Sequence, residues 1–426
     1  MTELTFATGV VERLQHAGYV ALFAGGCVRD RLLGLEPADY DVATSATPND
    51  MKALFPRCHT FGASFGVVEV LGPRGEDGEW LKVQVATFRT DGTYTDGRRP
   101  DAVQFSTPQH DAERRDFTIN GLFFDPIAGR VDDYVGGQVD LRARLLRAIG
   151  VPQERFAEDK LRLLRAVRMA ARFELTIEPL TWSAIVAMAP QIAVVSAERI
   201  AEELRKMLLH PNRAKAIELL VESGLMEQIL PEAFDLKTIG HTDTESTENV
   251  IQLAEVSSSF SVLSVTSVMR SSSLPFALYF AALLKSVDAP TAGKIGKRLK
   301  LSNEEIDRIV WLTAQRRALH DAGELKRSVL FPLLAHPASR DLIALLRFDG
   351  RMADADVCDE QLRIQPIEVL DPPPLLTGDD LRDKGLKPGP AFKPLLEAIR
   401  AKQLDGELRS HDEAIDFLRF TPLASQ

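Results

Sequence analysis

The spacing of apolar residues changes character once along this chain of 426 residues, near residue 142, and that change restricts the fold more than any motif does. Up to about residue 150 apolar positions form short β-branched runs or alternate with polar ones. DYDVAT, FGVVEVLG, LKVQVATFR and DAVQFS read as strands, because successive side chains of a strand point to opposite faces. GVVERLQHAGYVALFAGG reads as a helix followed by a short apolar strand running into glycines. From Arg142 onward apolar residues recur at every third and fourth position, most clearly in EDKLRLLRAVRMAARF and AERIAEELRKMLL, which is the stripe of an amphipathic helix. The chain therefore reads as an α/β part followed by a long helical part, and at ~100–200 residues per domain more than one domain is expected. A serine-rich stretch at 257–273 and the proline run of QPIEVLDPPPLLTGDD mark two weak points, the second a linker into a small helical tail.

Hydrophobic content of 45% and charged content of 26% suit a soluble globular protein. No run approaches the ~20 apolar residues that cross a bilayer, so no membrane is expected. The first twenty residues carry acidic groups and lack the basic and apolar segments of a secretory signal, so the expected location is cytoplasmic. Three widely spaced cysteines, Cys27, Cys58 and Cys358, agree with reduced thiols and argue against a thiolate zinc site. A net charge of −10 argues on its face against nucleic acid. Residues 142 to 172, however, hold nine basic and three acidic side chains, a local charge of +6, which leaves an RNA or polyphosphate partner open.

The densest chemistry lies in LFAGGCVRDRLLGLEPADYDVATSATP, residues 22 to 48. Asp39 and Asp41 flank Tyr40, and in a strand they share a face. Carboxylates that close repel unless a cation sits between them, and such pairs are the usual holders of Mg²⁺ that also carries substrate phosphates. A solvated acidic turn is the plain alternative. Gly25 and Gly26 follow an apolar strand and precede the short helix CVRDRLLG. Glycine lets backbone approach a ligand closely, helix-terminal N–H groups suit phosphate, and Arg29 in the first turn adds a charged donor. A simple strand-to-helix corner explains the same glycines without function. In RRDFTINGLFFDP, Arg115 could brace a triphosphate or ribose, or pair structurally with an aspartate, and the segment alone favours the structural reading.

The segments GGCVRDRLLG, DYD, RRDFTING and RFAEDKLRLLRAVRMAARF, in this order, resemble the class II tRNA nucleotidyltransferase / bacterial poly(A) polymerase family. The likeness runs to about residue 230, through ESGLMEQILPE, and continues weakly into LTGDDLRDKGLKPGPAFKPLLEAI and QLDGE. It implies an α+β fold: a polymerase-β-like nucleotidyltransferase α/β head over 1–145, then an all-α neck (146–225) with the base-recognition motif, a body (226–365) with a degenerate HD-like region, and a tail (366–426). It also implies residue roles. Gly26 and Arg29, with Gly25 beside them, would hold the triphosphate. Asp39 and Asp41 would bind the catalytic Mg²⁺, and Arg115 would contact phosphate or sugar as part of the catalytic set. In EDKLR, Asp159 and Arg162 would hydrogen-bond the base edge with Glu158 in support, and Arg165 and Arg168 would add nucleotide contacts. At intervals of three these four residues would form a slowly turning stripe on one helix. Asp accepts and Arg donates, which matches the amino group and ring nitrogen that cytosine and adenine both expose. A surface salt bridge on a solvated helix face is the default reading without the upstream motifs.

The implied function is template-independent addition of nucleotides to an RNA 3′ end, foremost the adding or repair of the tRNA CCA end from CTP and ATP by two-metal catalysis. The expected partners are tRNA or another RNA 3′ end, ATP and CTP, with no DNA. The alternatives are an A-adding enzyme or poly(A) polymerase and, from a different class, a catalytically silent RNA-binding module. The charged residues needed for phosphate, metal and base contacts disfavour the silent module, and the ending HDEAIDFLRFTPLASQ, without a basic run, favours tRNA. Two departures from the family stand out. Gln84 occupies a position where many members carry a third acidic residue, and Glu69 lies on another strand and is not promoted in its place. Lys285 and Ser286 stand where some relatives carry the His-Asp pair of an HD domain, and His320–Asp321 reads as a stray pair on a helix, so phosphohydrolase activity is not expected.

Overall fold

The computed structural model describes residues 1–60, 66–75, 78–91, 103–234, 275–384 and 389–419, and the chain divides into two compact units, Met1–Pro231 and Glu232–Gln426. The serine-rich stretch at 257–273 lies outside the described residues.

The first unit opens with α1 (Glu3–His16), whose Thr2 cap accepts the Thr5 N–H and whose buried residues Ala7, Val10, Val11 and Leu14 follow helical spacing. There follow β1 (Ala21–Ala24), α2 (Gly26–Leu32), β2 (Val42–Thr44), α3 (Pro48–Leu54), β3 (Cys58–Thr60), β4 (Val67–Arg74) and β5 (Trp80–Thr87). Next come β6 (Arg89–Asp91) and β7 (Val103–Phe105), which pair with each other in a separate ladder, then α4 (Pro108–Glu113), a 3₁₀ turn (Thr118–Asn120), β8 (Leu122–Asp125), β9 (Arg130–Asp133) and α5 (Gly137–Arg142). Seven strands form one mixed sheet in the order β3-β4-β5-β2-β1-β8-β9, with β2 and β5 parallel. The interior strand β1 is buried on both faces: Ala21 and Phe23 join the core under α1, while Leu22 and Ala24 meet Phe88, Ala112 and Phe123. That is why ALFA is a continuous apolar run. In β4 and β5 the alternation is clean, with Val68, Val70, Val83 and Val85 buried and Glu69, Lys82 and Gln84 on the opposite, more open face.

Beyond α5 the unit is helical: β10 (Leu145–Leu146), α6 (Pro152–Glu158), α7 (Leu161–Phe173), β11 (Thr176–Ile177), α8 (Pro179–Met188), α9 (Ala197–Leu208), α10 (Arg213–Glu222) and α11 (Leu225–Ile229). A two-residue parallel ladder between β10 and β11 is the strand content the helical reading did not include. Two local expectations need correction. DYDVAT is a strand only from Val42, so Asp39 and Asp41 lie in the segment leading into β2. EDKLRLLRAVRMAARF is broken: α6 ends at Glu158, Asp159 has an extended backbone (φ −148°, ψ 105°), and α7 begins at Leu161. The Asp159 side chain explains the break, since its Oδ1 accepts the Leu161 N–H at 3.0 Å as a cap would.

In the second unit, helices Pro275–Leu283, Asn303–Gln315, Arg327–Ala335 and Ser339–Phe348 share a core that includes Leu278, Leu312, Phe331, Leu342 and Leu345. Gly378–Asp383, Phe392–Leu404 and His411–Arg419 gather Leu381, Leu395, Ile399 and Ala414 into a second cluster. Buried Arg316 forks onto Asp349 at 2.8 and 2.7 Å and donates to the Ala281 carbonyl at 2.9 Å. Lys285 and Ser286 are exposed in a turn. His320 and Asp321 also lie in turns, not on a helix, and Asp321 pairs with Arg351. Among the described residues no single helix is long and apolar enough to cross a membrane.

The first unit closes tightly at Gly137, where a Cβ would stand 2.2 Å from the Thr118 carbonyl oxygen. Gly137→Ala should destabilise this unit by about 1–3 kcal/mol, as overpacking against backbone does. Urea unfolding followed by circular dichroism measures it, and an unchanged midpoint would contradict the packing described.

Candidate active site

The site starts at the end of β1. Gly25 has φ +72°, a left-handed conformation that favours glycine, and its N–H donates to the Leu122 carbonyl at 3.0 Å. A Cβ at Gly25 would lie 2.6 Å from an Arg115 guanidinium nitrogen. The missing side chain therefore lets Arg115 lie against the turn. Beside it, Tyr40 is buried next to Phe23, with ring centroids 5.4 Å apart, while Asp39 and Asp41 on either side are exposed. Tyr40 is thus turned inward between two exposed carboxylates, of which Asp39 acts electrostatically on Asp41. The Asp41 carbonyl accepts the Ala24 N–H at 2.9 Å, which ties this segment to β1.

Although solvent reaches the Asp41 carboxylate, the protein crowded around it withholds hydration. That crowding first, and the neighbouring Asp39 second, push its pKa from 3.8 to about 6 against the opposing pull of Arg115. Val42, which follows Asp41, pairs with Val85, and the preceding Gln84 pairs with Glu69 of β4. Among the described residues no group of three or more His, Cys, Asp or Glu side chains is arranged to hold a metal ion.

The arginines are held rather than free. Buried Asp111 accepts Arg114 through Oδ1 at 2.9 and 2.7 Å and Arg115 through Oδ2 at 3.2 and 3.0 Å. Burial alone would raise the Asp111 pKa, but Arg115 and Arg114 outweigh it and hold the carboxyl below its ordinary value. Arg115 also donates to the Asn120 carbonyl at 3.1 Å and stacks over Phe123. Arg29 is buried: it pairs with Asp30, donates to Asn120 Oδ1 at 2.6 Å and lies 4.2 Å over the Phe173 ring of α7. Asn120 in turn donates to Asp116 Oδ1 at 2.9 Å, and Asp116 Oδ2 accepts Arg165 at 2.9 and 2.5 Å. Burial opposes ionisation of Asp116, yet Arg165 and Asn120 hold its carboxyl far below the usual range.

On the helical side, Arg162 is paired with Glu158 and donates to the Arg155 carbonyl at 2.7 Å. Arg168 donates to buried Glu203 at 2.6 Å, and Asp159 is forked by Arg199. One cleft of about 460 Å³ is lined by Gly25, Gly26, Arg29, Asp41, Arg115, Asp159, Arg162 and Arg165 from the sequence-derived set, with Arg114, Asp116, Asn120, Leu161, Met169 and Arg199. Asp39 and Arg168 do not line it. The four-residue stripe is corrected: Asp159 sits in the α6–α7 break and only Arg162, Arg165 and Arg168 ride on α7. Sequence reasoning passed over Asp111, Glu203 and Arg199. Asp111 lies three and four residues before the arginines it binds, and Arg199 and Glu203 are four apart on an amphipathic helix, a spacing shared with any surface pair.

The Asp41 shift has a defined sign. A carboxyl whose folded pKa exceeds its unfolded value binds more protons in the folded state between pH 3.8 and about 6, so stability falls as pH rises through that window. Asp41→Asn should therefore raise the unfolding midpoint at pH 7.5 in divalent-free buffer, with the gain shrinking between pH 6 and 4. Thermal melts at several pH values check this, and a lower midpoint for the variant at pH 7.5 would refute the crowding of Asp41.

Comparison with known proteins gives this geometry its context. Residues 21–147 match the family model described as Poly A polymerase head domain, and residues 174–236 match the model described as Probable RNA and SrmB- binding site of polymerase A. The CCA-adding enzyme of Geobacillus stearothermophilus is 42% identical over 220 residues, 51% of this chain and 53% of that protein, so the match spans about half the length of that relative. The CCA-adding enzyme of Lactococcus lactis subsp. cremoris (strain MG1363) is 33% identical over 420 residues, covering 97% of this chain and 95% of that one. Among solved structures, the Bacillus stearothermophilus CCA-adding enzyme in complex with CTP aligns over 98% of both chains with a TM-score of 0.72 and 26% identity. A 33% identity sustained over nearly the full length, with the same fold beneath it, leads to one conclusion: the chain belongs to the CCA-adding enzyme family.

Proposed function

We propose that this protein is a template-independent nucleotidyltransferase that adds or repairs the CCA end of tRNA from CTP and ATP. The observation that carries the reading is a single cleft in which the glycine turn, Asp41 and Arg115 of the head meet Asp159, Arg162 and Arg165 of the helical part. In these terms 1–145 is the catalytic head and 146–225 the base-reading neck, followed by body (226–365) and tail (366–426). The 3′-hydroxyl oxygen of the RNA forms a bond to the α-phosphorus of the nucleotide, the bond to pyrophosphate breaks, and the hydroxyl proton passes to solvent. No protein nucleophile takes part.

Asp39 and Asp41 fit a divalent cation: they are exposed hard oxygen donors, and their mutual repulsion helps raise the Asp41 pKa. Mg²⁺ bound there would neutralise phosphate charge and lower the pKa of the attacking hydroxyl. Every other part of the reaction belongs to the chain itself. Gly25 and Gly26 let the triphosphate approach the backbone, with Arg29 behind the turn, and Arg115, fixed by Asp111 and the Asn120 carbonyl, donates toward phosphate. Asp159 accepts from the exocyclic amino group and Arg162 donates to the ring nitrogen, a pattern that uracil reverses. Arg165 and Arg168 support that edge from α7. The free thiols Cys27, Cys58 and Cys358 agree with a reducing, cytoplasmic setting.

The test uses purified protein with tRNA transcripts ending before CCA, after C and after CC, given CTP and ATP separately and together. The expected result is C addition to the first two and A addition only after CC. Uptake of ATP alone onto RNA ends other than the one after CC, or repeated A addition, would replace this reading with poly(A) synthesis. Asp39→Ala should abolish transfer while RNA binding, measured by filter retention, stays within about twofold, because phosphate contacts from basic residues supply RNA affinity.

A further inference from the structure

Asp159 carries a demanding task from a weak position. It belongs to neither α6 nor α7, so no helical backbone fixes its side chain. What does fix it is Arg199, 40 residues away on α9. Arg199 donates through one terminal nitrogen to Asp159 Oδ1 at 3.1 Å and through the other to Oδ2 at 2.6 Å, and both side chains are largely withdrawn from solvent. This two-pronged contact sets the plane of the carboxylate as well as its place. Arg199 also lines the cleft that Asp159 faces.

We propose that Arg199 is a positioning residue for nucleotide selection, holding the Asp159 carboxylate so that one acceptor position on Oδ2 is left for the amino group of an incoming base. The proposal rests on the base-reading role given to Asp159 above. The count of acceptor positions carries it. A carboxylate offers about four lone-pair sites, two on each oxygen. Oδ1 accepts both Arg199 and the Leu161 N–H at 3.0 Å, which fills it. Oδ2 accepts Arg199 once. A single directed acceptor therefore remains, aimed by a rigid fork, and it suits a base that presents an amino group there and opposes one that presents a carbonyl. The same helix holds a second arginine partner away from the cleft: Glu203, one turn after Arg199, takes Arg168 at 2.6 Å. α9 thus presents a positive and a negative group one turn apart, matched to Asp159 and Arg168.

Arg199→Gln removes the fork and Arg199→Lys keeps the charge without it. Each full-length variant is assayed for kcat and KM with CTP, ATP, UTP and GTP on tRNA transcripts ending before CCA and after CC, alongside Asp159→Ala. Arg199→Gln should lower the preference for CTP over UTP by about 10–100-fold, mainly through a higher KM for CTP, because an unaimed acceptor no longer enforces hydrogen-bond complementarity. Arg199→Lys should fall between it and the parent. Equal losses for all four nucleotides together with a lowered melting temperature would overturn the proposal, since a strut that only stabilises the helices behaves that way. Unchanged preference in both Arg199 variants while Asp159→Ala relaxes it would also overturn the proposal and leave the reading of Asp159 standing. Unchanged preference in Asp159→Ala would remove that reading, and the proposal with it.

Discussion

Asp116 is nearly inaccessible to water, and all of its acceptor capacity is spent inside the protein: Oδ1 takes the Phe117 N–H and the Asn120 amide, and Oδ2 takes the Arg165 fork. Asn120 passes the connection to Arg29, which is itself sandwiched between Asp30 and the Phe173 ring. The chain of contacts runs from the turn at the end of β1 to the arginine face of α7. A buried carboxylate so fully bonded stabilises only while every member is present, because loss of one partner leaves a desolvated charge or dipole behind. The placement of the glycine turn relative to the arginines of α7 is tied through this connection.

A second constraint concerns negative charge. Asp39 and Asp41 are exposed just before β2, and Gln84, paired with Glu69, stands one residue before the Val85 that pairs with Val42. Crowding and Asp39 already make Asp41 reluctant to ionise. A third carboxylate at position 84 would add a like charge to that pair, whereas the amide does not. The substitution that looked like a departure in the sequence therefore lessens a repulsion that the unliganded fold must tolerate.

Features carried by contiguous residues were readable from the sequence. The single period change near residue 142, the alternation of β4 and β5 and the glycine turn before α2 all depend on near neighbours in the chain, and each forms as expected. Asp39 and Asp41 are both exposed around the buried Tyr40, although the strand in which their spacing was read starts only after them. The break at Asp159 was not readable. EDKLRLLRAV contains no glycine or proline, and what interrupts it is a side chain capping Leu161 and held by Arg199 from another helix. The burial of Arg29 escaped for the same reason: its partners Asn120 and Phe173 lie 91 and 144 residues downstream, and nothing local announces them. Arginine-rich motifs advertise function by composition, but only tertiary packing reveals which guanidinium groups are already engaged.

Pairing of the arginines has a consequence for how a polyanion meets this wall. Arg29, Arg114, Arg115, Arg162, Arg165 and Arg199 each face a carboxylate of the protein at close range. The lining therefore exerts little net long-range pull, and the attraction of its cations is spent within a few ångströms. A small solute that enters is sorted by the direction of individual donors and acceptors, whose effect ionic strength barely touches. Salt will instead tell on the long phosphate backbone of a macromolecule lying across the outer surface.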